Sequence, residues 1–223
     1  MGQAIGESIT FAIGVAISPI PIIAIILMLL SKKAGANSLA FAVGWIVGVA
    51  GAMAIVIAVS GAIGTDSGGG PSHGVSIVKI VLGALLLNVG FRHWKDRPAP
   101  GETASLPHWL LAIEGITPIK SGALGLGLSA LNPKNIILIV GGGLAIAGAP
   151  TSNGGKLVAA VVFVALAIST VVVPVVLYRV LGARAHKRLE SLNVWLQANS
   201  ATVMSVLILV IAVVLIGKGV SGF

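Results

Sequence analysis

Cysteine is absent from this chain of 223 residues. Its absence excludes disulfides, cysteine-based zinc sites, iron–sulfur clusters and thiol redox chemistry. Charged residues are also few, at 9% of the chain against about a quarter in an ordinary soluble domain. So few charges cannot cover the surface of a soluble protein, which stays largely polar. The hydrophobic content of 57% and the mean hydropathy of +1.08 instead indicate an integral membrane protein.

Acidic and histidine side chains are missing from the centres of the apolar segments. They lie near segment ends or in predicted loops, at Glu7, Asp66, Asp96, Glu102, Glu114, Glu190, His73, His93, His108 and His186. A path for divalent cations needs oxygen ligands, and a catalytic site needs a carboxylate pair or a nucleophile beside a base. The sequence therefore predicts no metal site, no cofactor and no enzymatic activity.

Six segments are long and apolar enough, or nearly so, to cross a bilayer. A spanning helix needs about 20 mainly apolar residues. The predicted spans are 6–30, 37–63, 75–91, 121–147, 156–180 and 201–217. The expected fold is an all-α integral membrane protein with six transmembrane helices, forming a single domain over residues 1–223.

Basic residues are concentrated on one side of these predicted spans. That side carries Lys32, Lys33, Arg92, Lys95, Arg97, Lys120, Arg179, Arg184, Lys187 and Arg188, and the other carries Lys79, Lys156 and Lys218. The positive-inside rule makes the first side cytoplasmic, so both termini are expected outside. Although the net charge is +8, no basic run is long enough to bind nucleic acid.

The longest connection, about 92–120, falls on the cytoplasmic side of this topology. It contains an apolar stretch bounded by Pro107 and Pro118 that is too short to span. We expect either a short interfacial helix anchored by Trp109 or an ordered loop packed against the bundle.

Two stretches of the chain resemble each other. "AISPIPIIAIIL" (16–27) lies in the first span and "LSALNPKNIILI" (128–139) in the fourth, and Pro21 aligns with Pro133 without gaps. The second copy is offset from the first by three spans. Because three is an odd number, the second copy must be inverted in the membrane. This predicts a 3+3 inverted repeat, a common transporter plan, with repeat 1 at about 1–91 and repeat 2 at about 121–223.

Prolines near the middle of spans one and four are expected to break both helices. A proline removes a backbone hydrogen bond and frees a carbonyl group, which in lipid must find a partner. Breaks at Pro19, Pro21 and Pro133 therefore indicate a lined cavity, although a simple kink is the alternative, and is the interpretation we favour for Pro174. Ser18 is expected to satisfy a freed carbonyl or to face the same cavity.

Lys134 is the one basic residue placed deep within a predicted span. Insertion of lysine at a helix centre costs about 2.5–3.5 kcal/mol, so such a residue usually faces a cavity, a partner or a pathway. With a half-helix N-terminus beside it, Lys134 favours an anionic group, and Asn132 and Asn135 are expected to bind a polar ligand or freed backbone groups. Snorkelling, a re-entrant tip at 121–147 and a proton-coupled role for an uncharged lysine are the alternatives.

The motifs "SPIPIIAIILML" and "LNPKN" resemble the actinobacterial Gap/Sap-type proteins, the glycopeptidolipid- and sulfolipid-addressing proteins of the LysE transporter superfamily. The resemblance covers nearly the whole chain. It implies a bacterial inner-membrane protein that handles cell-envelope lipids or glycolipids, with Pro19, Pro21, Asn132, Pro133, Lys134 and Asn135 at the site.

The leading hypothesis is an exporter that moves a polar or anionic envelope lipid or glycolipid by alternating access. The alternatives are an exporter of a small amino-acid-like solute and a scaffold that recruits a lipid-export complex through the 92–120 loop. Expected partners are membrane lipids and the substrate. Glycines in spans two and four also allow the close packing needed for a homodimer.

Overall fold

The computed structural model describes residues 1–62, 73–95, 110, 112–182, 184–221 and 223. The helices in this part of the chain are α1 (Gly2–Ala16), α2 (Pro19–Leu30), α3 (Ala34–Ala62), α4 (His73–Lys95), α5 (Pro118–Ala130), α6 (Pro133–Ala147), α7 (Asn153–Leu181) and α8 (Arg184–Val220). A short 3₁₀ helix covers Ala112–Gly115. The prediction of an all-α membrane protein is confirmed.

Four of these helices, α3, α4, α7 and α8, are each long and apolar enough to cross a membrane alone. The pairs α1–α2 and α5–α6 meet the same criteria only together, and they bend by 52° and 58° at their breaks. Both bends are less than a right angle, so each second half-helix continues forward instead of turning back. The geometry therefore favours two broken spans over a re-entrant tip at 121–147. By length and composition, the described helices provide four crossings, or up to six when each bent pair is one span.

Both breaks fall beside the predicted prolines. Ser18 and Asn132 are extended N-cap residues, and Pro19 and Pro133 follow them at the start of α2 and α6. A proline is well suited to this position because its missing amide hydrogen has no intrahelical partner there. The two breaks therefore match Pro19 with Pro133, two residues away from the gapless alignment that paired Pro21 with Pro133.

The helix that carries the sixth span is much longer than predicted. We expected a span at 201–217 after a cytoplasmic connection, but α8 begins at Arg184 and has 37 residues. At 1.5 Å per residue it is about 55 Å long, well beyond a hydrocarbon core of about 30 Å. The segment 184–200, called the α8 arm below, therefore extends the helix beyond the span.

Predictions for the longest loops largely lie outside the described residues. The ranges outside the described residues include 63–72, which contains most of the predicted external connection, and 96–109, which contains Pro107 and Trp109. At the end of the 92–120 loop, α5 begins at Pro118, three residues before the predicted fourth span.

The broken helices occupy the centre of the bundle. Nine of the 12 residues of α2 and 11 of the 15 residues of α6 are buried, whereas the long helices bury between 22% and 33% of their most apolar windows. Irregular backbone at membrane depth is stable only inside protein or at a cavity, so this placement is the one that the breaks require. Gly141, Gly142 and Gly143 help α6 fit there, because they face Phe11 of α1, Phe163 of α7 and Val56 of α3 in turn.

Packing partners are largely paired between the two halves of the chain. The contact of α3 with α5 has its counterpart in the contact of α7 with α1. In the same way, the contact of α2 with α8 corresponds to that of α6 with α4. The corresponding helices α4 and α8 pack on each other. This pattern agrees with the two-fold relation expected of an inverted repeat. The largest departure is that α1 packs closely on α6, whereas α5 and α2 make at most marginal contact over the described residues.

Candidate functional site

The first break leaves the last carbonyl groups of α1 without intrahelical partners, and other groups of the protein satisfy them. The amide of Ile17 donates to the Ile13 carbonyl at 2.9 Å, and Ser18 Oγ donates to the Val15 carbonyl at 2.8 Å. Helix ends inside a membrane need such partners because no water is present to replace them.

Lys134 lies at the second break, and its ammonium group donates hydrogen bonds to groups at the first break. Its Nζ donates to the Gly14 carbonyl at 2.8 Å, to Ser18 Oγ at 2.6 Å and to the Ile17 carbonyl at 3.4 Å. The side chain is only 4% exposed. It starts in the first turn of α6 and reaches the C-terminus of α1, so it links the two broken spans and does not snorkel to an interface.

The electrostatics of this contact are unusual for a buried lysine. The partners are two carbonyl oxygens and a hydroxyl oxygen, and no described acidic side chain pairs with the ammonium group. The C-terminus of α1 carries a partial negative charge of about half an elementary charge, which favours a cation. Since a full opposite charge is missing among the described residues, a protonated Lys134 gives the contact a net positive charge that an anion can neutralise.

Thr170 of α7 completes the set of donors at the first break. Its Oγ1 donates to the Ala16 carbonyl at 2.6 Å. Sequence reasoning did not select this residue, although a hydroxyl in the middle of an apolar span was an available indication. The structure brings Ser18, Lys134 and Thr170, from three separate parts of the chain, to one helix end.

The two asparagines bind backbone at the second break. Asn132 caps α6 by accepting a hydrogen bond from the Lys134 amide at 3.0 Å. Asn135 is fully buried and donates through Nδ2 to the Leu128 carbonyl of α5 at 3.0 Å, while its Oδ1 has no partner. Of the two expected roles, the structure therefore shows the backbone role for both, and it leaves one acceptor atom unused.

The prolines differ in their surroundings. Pro19 and Pro21 are buried, and Pro133 is exposed. Pro174 lies within α7 without ending the helix, as expected for a tolerated kink. The prolines of the first break are thus buried within the protein, whereas the proline of the second break is exposed.

A cavity of about 490 Å³ lies beside the first break, between α2, α7 and α8. Ile22 and Thr170 are the lining residues nearest the break, and Lys134 is not part of the lining. The residues predicted to line a cavity at the breaks are absent from this lining, so that cavity stays a prediction. Across the part of the chain that the structure describes, no group of three acidic or histidine side chains is placed to hold a metal ion.

One comparison with known proteins gives a match. A family model described as Sap, sulfolipid-1-addressing protein, matches residues 9–221 and so covers both broken spans and all the residues of the site. Neither the curated proteins nor the solved structures contain a match to the chain.

Proposed function

The chain belongs to the Sap, sulfolipid-1-addressing protein, family, and from this premise we propose that it exports a polar or anionic lipid of the cell envelope by alternating access. Family membership indicates a role in the export or addressing of an envelope lipid. The transport mechanism and the chemical class of the headgroup are inferred from the site.

The observation that carries the proposal is the contact of Lys134 with the C-terminus of α1. This contact joins two broken spans at the centre of the bundle and lacks a carboxylate. An anionic headgroup supplies the missing charge, and charge-assisted hydrogen bonds to such a group are about twice as strong as bonds to neutral carbonyls.

The same contact suggests how binding and movement are coupled. A headgroup that takes the ammonium group of Lys134 leaves the Gly14 and Ile17 carbonyls without that donor. The α1 half-helix then loses its hydrogen bonds from the Lys134 side chain of α6, and the two half-helices are free to separate on one side of the membrane. Discontinuous helices that meet at a central site move in this way in other transporter architectures.

The direction of transport follows from the predicted topology. With the basic loops in the cytoplasm of a bacterial cell, both termini and the α3–α4 connection lie outside the inner membrane. Export then means loading from the cytoplasmic leaflet. The protein acts without a cofactor and, on this proposal, without enzymatic chemistry.

Transport of a labelled anionic lipid by purified protein in vesicles tests the proposal. We expect the wild type to accelerate the exchange of nitrobenzoxadiazole-labelled phosphatidylglycerol between leaflets, measured by dithionite quenching. The Lys134→Met variant keeps the unbranched side chain but removes the charge, and should lose most of the acceleration. Lys120→Met, which removes an exposed lysine, is the matched control and should behave as the wild type.

Other outcomes of this assay separate the alternatives. No acceleration by wild-type protein overturns lipid translocation and leaves two alternatives, an exporter of a small amino-acid-like solute and the scaffold. Deletion within 92–120 should abolish function in cells only for the scaffold. Equal acceleration by wild type and Lys134→Met contradicts the assigned role of the lysine.

A further inference from the structure

The cavity between α2, α7 and α8 is a groove with a defined direction. α7 ends at Leu181 and α8 begins at Arg184, so residues at similar distances from this connection in the two helices line the groove together. Leu177 and Arg188 line the groove near the turn, and Thr170 and Leu196 line it deeper in. Arg188 and Leu196 are eight positions apart, which corresponds to about 12 Å along α8.

The two ends of the groove differ in chemistry. Its wall is almost wholly apolar, and Arg188 is the charged residue that lines it, at the outer end. The adjacent Arg184 and Lys187 are exposed as well. No described acidic side chain pairs with Arg188. The inner end stops at Thr170, which is bonded to the Ala16 carbonyl at the first break.

We propose that this groove binds one acyl chain of an anionic lipid, with Arg188 contacting the headgroup, and that it is the site from which a lipid approaches Lys134. The volume of about 490 Å³ lies within the range of about 300–1,000 Å³ for sites that bind small molecules. An apolar channel with a single cation at its mouth is complementary to a hydrocarbon chain that ends in a negative group. The groove also explains why the α8 arm continues past the span, since Arg188, Leu189, Leu192 and Leu196 all belong to it.

The proposal deepens the proposed function by adding a loading site on the cytoplasmic side of the predicted topology. Arg188 and Lys134 would act in sequence on the same headgroup. The first contact is exposed and near the membrane surface, and the second is buried. Binding at the groove does not require transport, so it is tested separately.

Photo-crosslinking in lipid nanodiscs tests the groove. The probes are phosphatidylglycerol and phosphatidylcholine carrying the same diazirine-labelled acyl chain, and crosslinked peptides are identified by mass spectrometry. We expect phosphatidylglycerol to label residues of 169–177 and 188–196 more strongly than phosphatidylcholine does. Arg188→Gln should reduce this labelling roughly fivefold, the effect of about one basic residue near an anionic surface. Lys187→Gln, which removes a neighbouring charge outside the groove, should leave it nearly unchanged.

A second pair of variants tests the apolar part of the groove without relying on charge. Leu192→Trp fills the groove and should abolish labelling there. Val194→Trp places the same side chain on an exposed position of α8 outside the groove and should not. Equal labelling by the two lipids, equal effects within either pair of variants, or labelling spread evenly over the outer helices would overturn the proposal. Because only binding is measured, groove labelling without lipid exchange would refute transport and retain the site, and the reverse would refute the site alone.

Discussion

At the scale of single residues, Lys134 connects sequence, structure and proposed function. A lysine beside a proline in an apolar segment is costly unless it has partners, and the structure gives it the carbonyl groups that a second proline-bounded break sets free. The lysine thus gains acceptors for its ammonium group, and the carbonyl groups at the break gain a donor. The partners carry no full negative charge, and the transport proposal depends on a protonated Lys134 attracting an anion.

Thr170 offers a separate test of how the first break is stabilised. Thr170→Val keeps the shape of the side chain and removes the hydroxyl donor to the Ala16 carbonyl, which keeps its bond from the Ser18 amide at 2.9 Å. We expect a loss of about 0.5–1.5 kcal/mol in the free energy of unfolding, the usual net value of one such hydrogen bond. Thermal unfolding in detergent would show this as a lower Tm.

The control for this prediction retains the hydroxyl. Thr170→Ser should restore most of the stability, since its oxygen can make the same bond. If the valine and serine variants unfold at the same temperature, the bond to Ala16 contributes nothing measurable and the break is held by Lys134 and Ser18 alone.

At the scale of the secondary elements, the close approach of α3 and α5 holds the second broken span in place. A Cβ atom at Gly44 would clash with the Gly122 carbonyl oxygen, and one at Gly125 would clash with the Phe41 carbonyl oxygen. Small residues at such crossings are the usual means of bringing membrane helices together, because lipid chains provide no hydrophobic drive for association.

Gly44→Ala should therefore separate α3 from α5 and destabilise the protein by about 1–3 kcal/mol, as overpacking of a tight interface does. The Tm in detergent, followed by circular dichroism, measures the change. Gly51→Ala is the matched control on the same helix, since no atom lies within 4 Å of a Cβ built there. It should be neutral or slightly stabilising, because alanine is the better helix former. A Gly44→Ala variant as stable as Gly51→Ala would show that the crossing tolerates a methyl group.

The elements also show why some predictions succeeded. A proline after a polar cap residue is a local sequence signal for the start of a helix, so the breaks before Pro19 and Pro133 could be located from the sequence. The α8 arm was missed for a different reason. Its buried residues Ala185, Leu189, Asn193 and Leu196 recur every three or four positions, as in an amphipathic helix, but the charges between them lower the hydropathy that defined the spans.

At the scale of the whole molecule, the sequence predicted the class of fold and the positions of two helix breaks, but not the contacts between the breaks. Lys134 and Gly14 are 120 positions apart, and no local pattern pairs them. The position of Thr170 at the same helix end depends likewise on how α7 packs on α1. Long-range packing of this kind is specified by the shape of many surfaces together, not by any single motif.

The two-fold pattern of packing also has a consequence for the whole molecule. Most helix contacts of one half have a counterpart in the other, but the contact of α1 with α6 does not. In an inverted repeat, exchanging such an asymmetry between the halves is one way to open the opposite side of the membrane. On the proposed transport mechanism, the present arrangement is one of two states, and Lys134 holds the first break closed in this state.

The most direct test of the central claim, that Lys134 binds the headgroup of an anionic lipid, is mass spectrometry of the lipids that co-purify with the protein. Wild-type protein, Lys134→Ala and Lys134→Arg would be prepared identically from the same cells. The account predicts that an anionic lipid is retained by the wild type, lost from the alanine variant and at least partly kept by the arginine variant. The same lipid profile in all three preparations would contradict it.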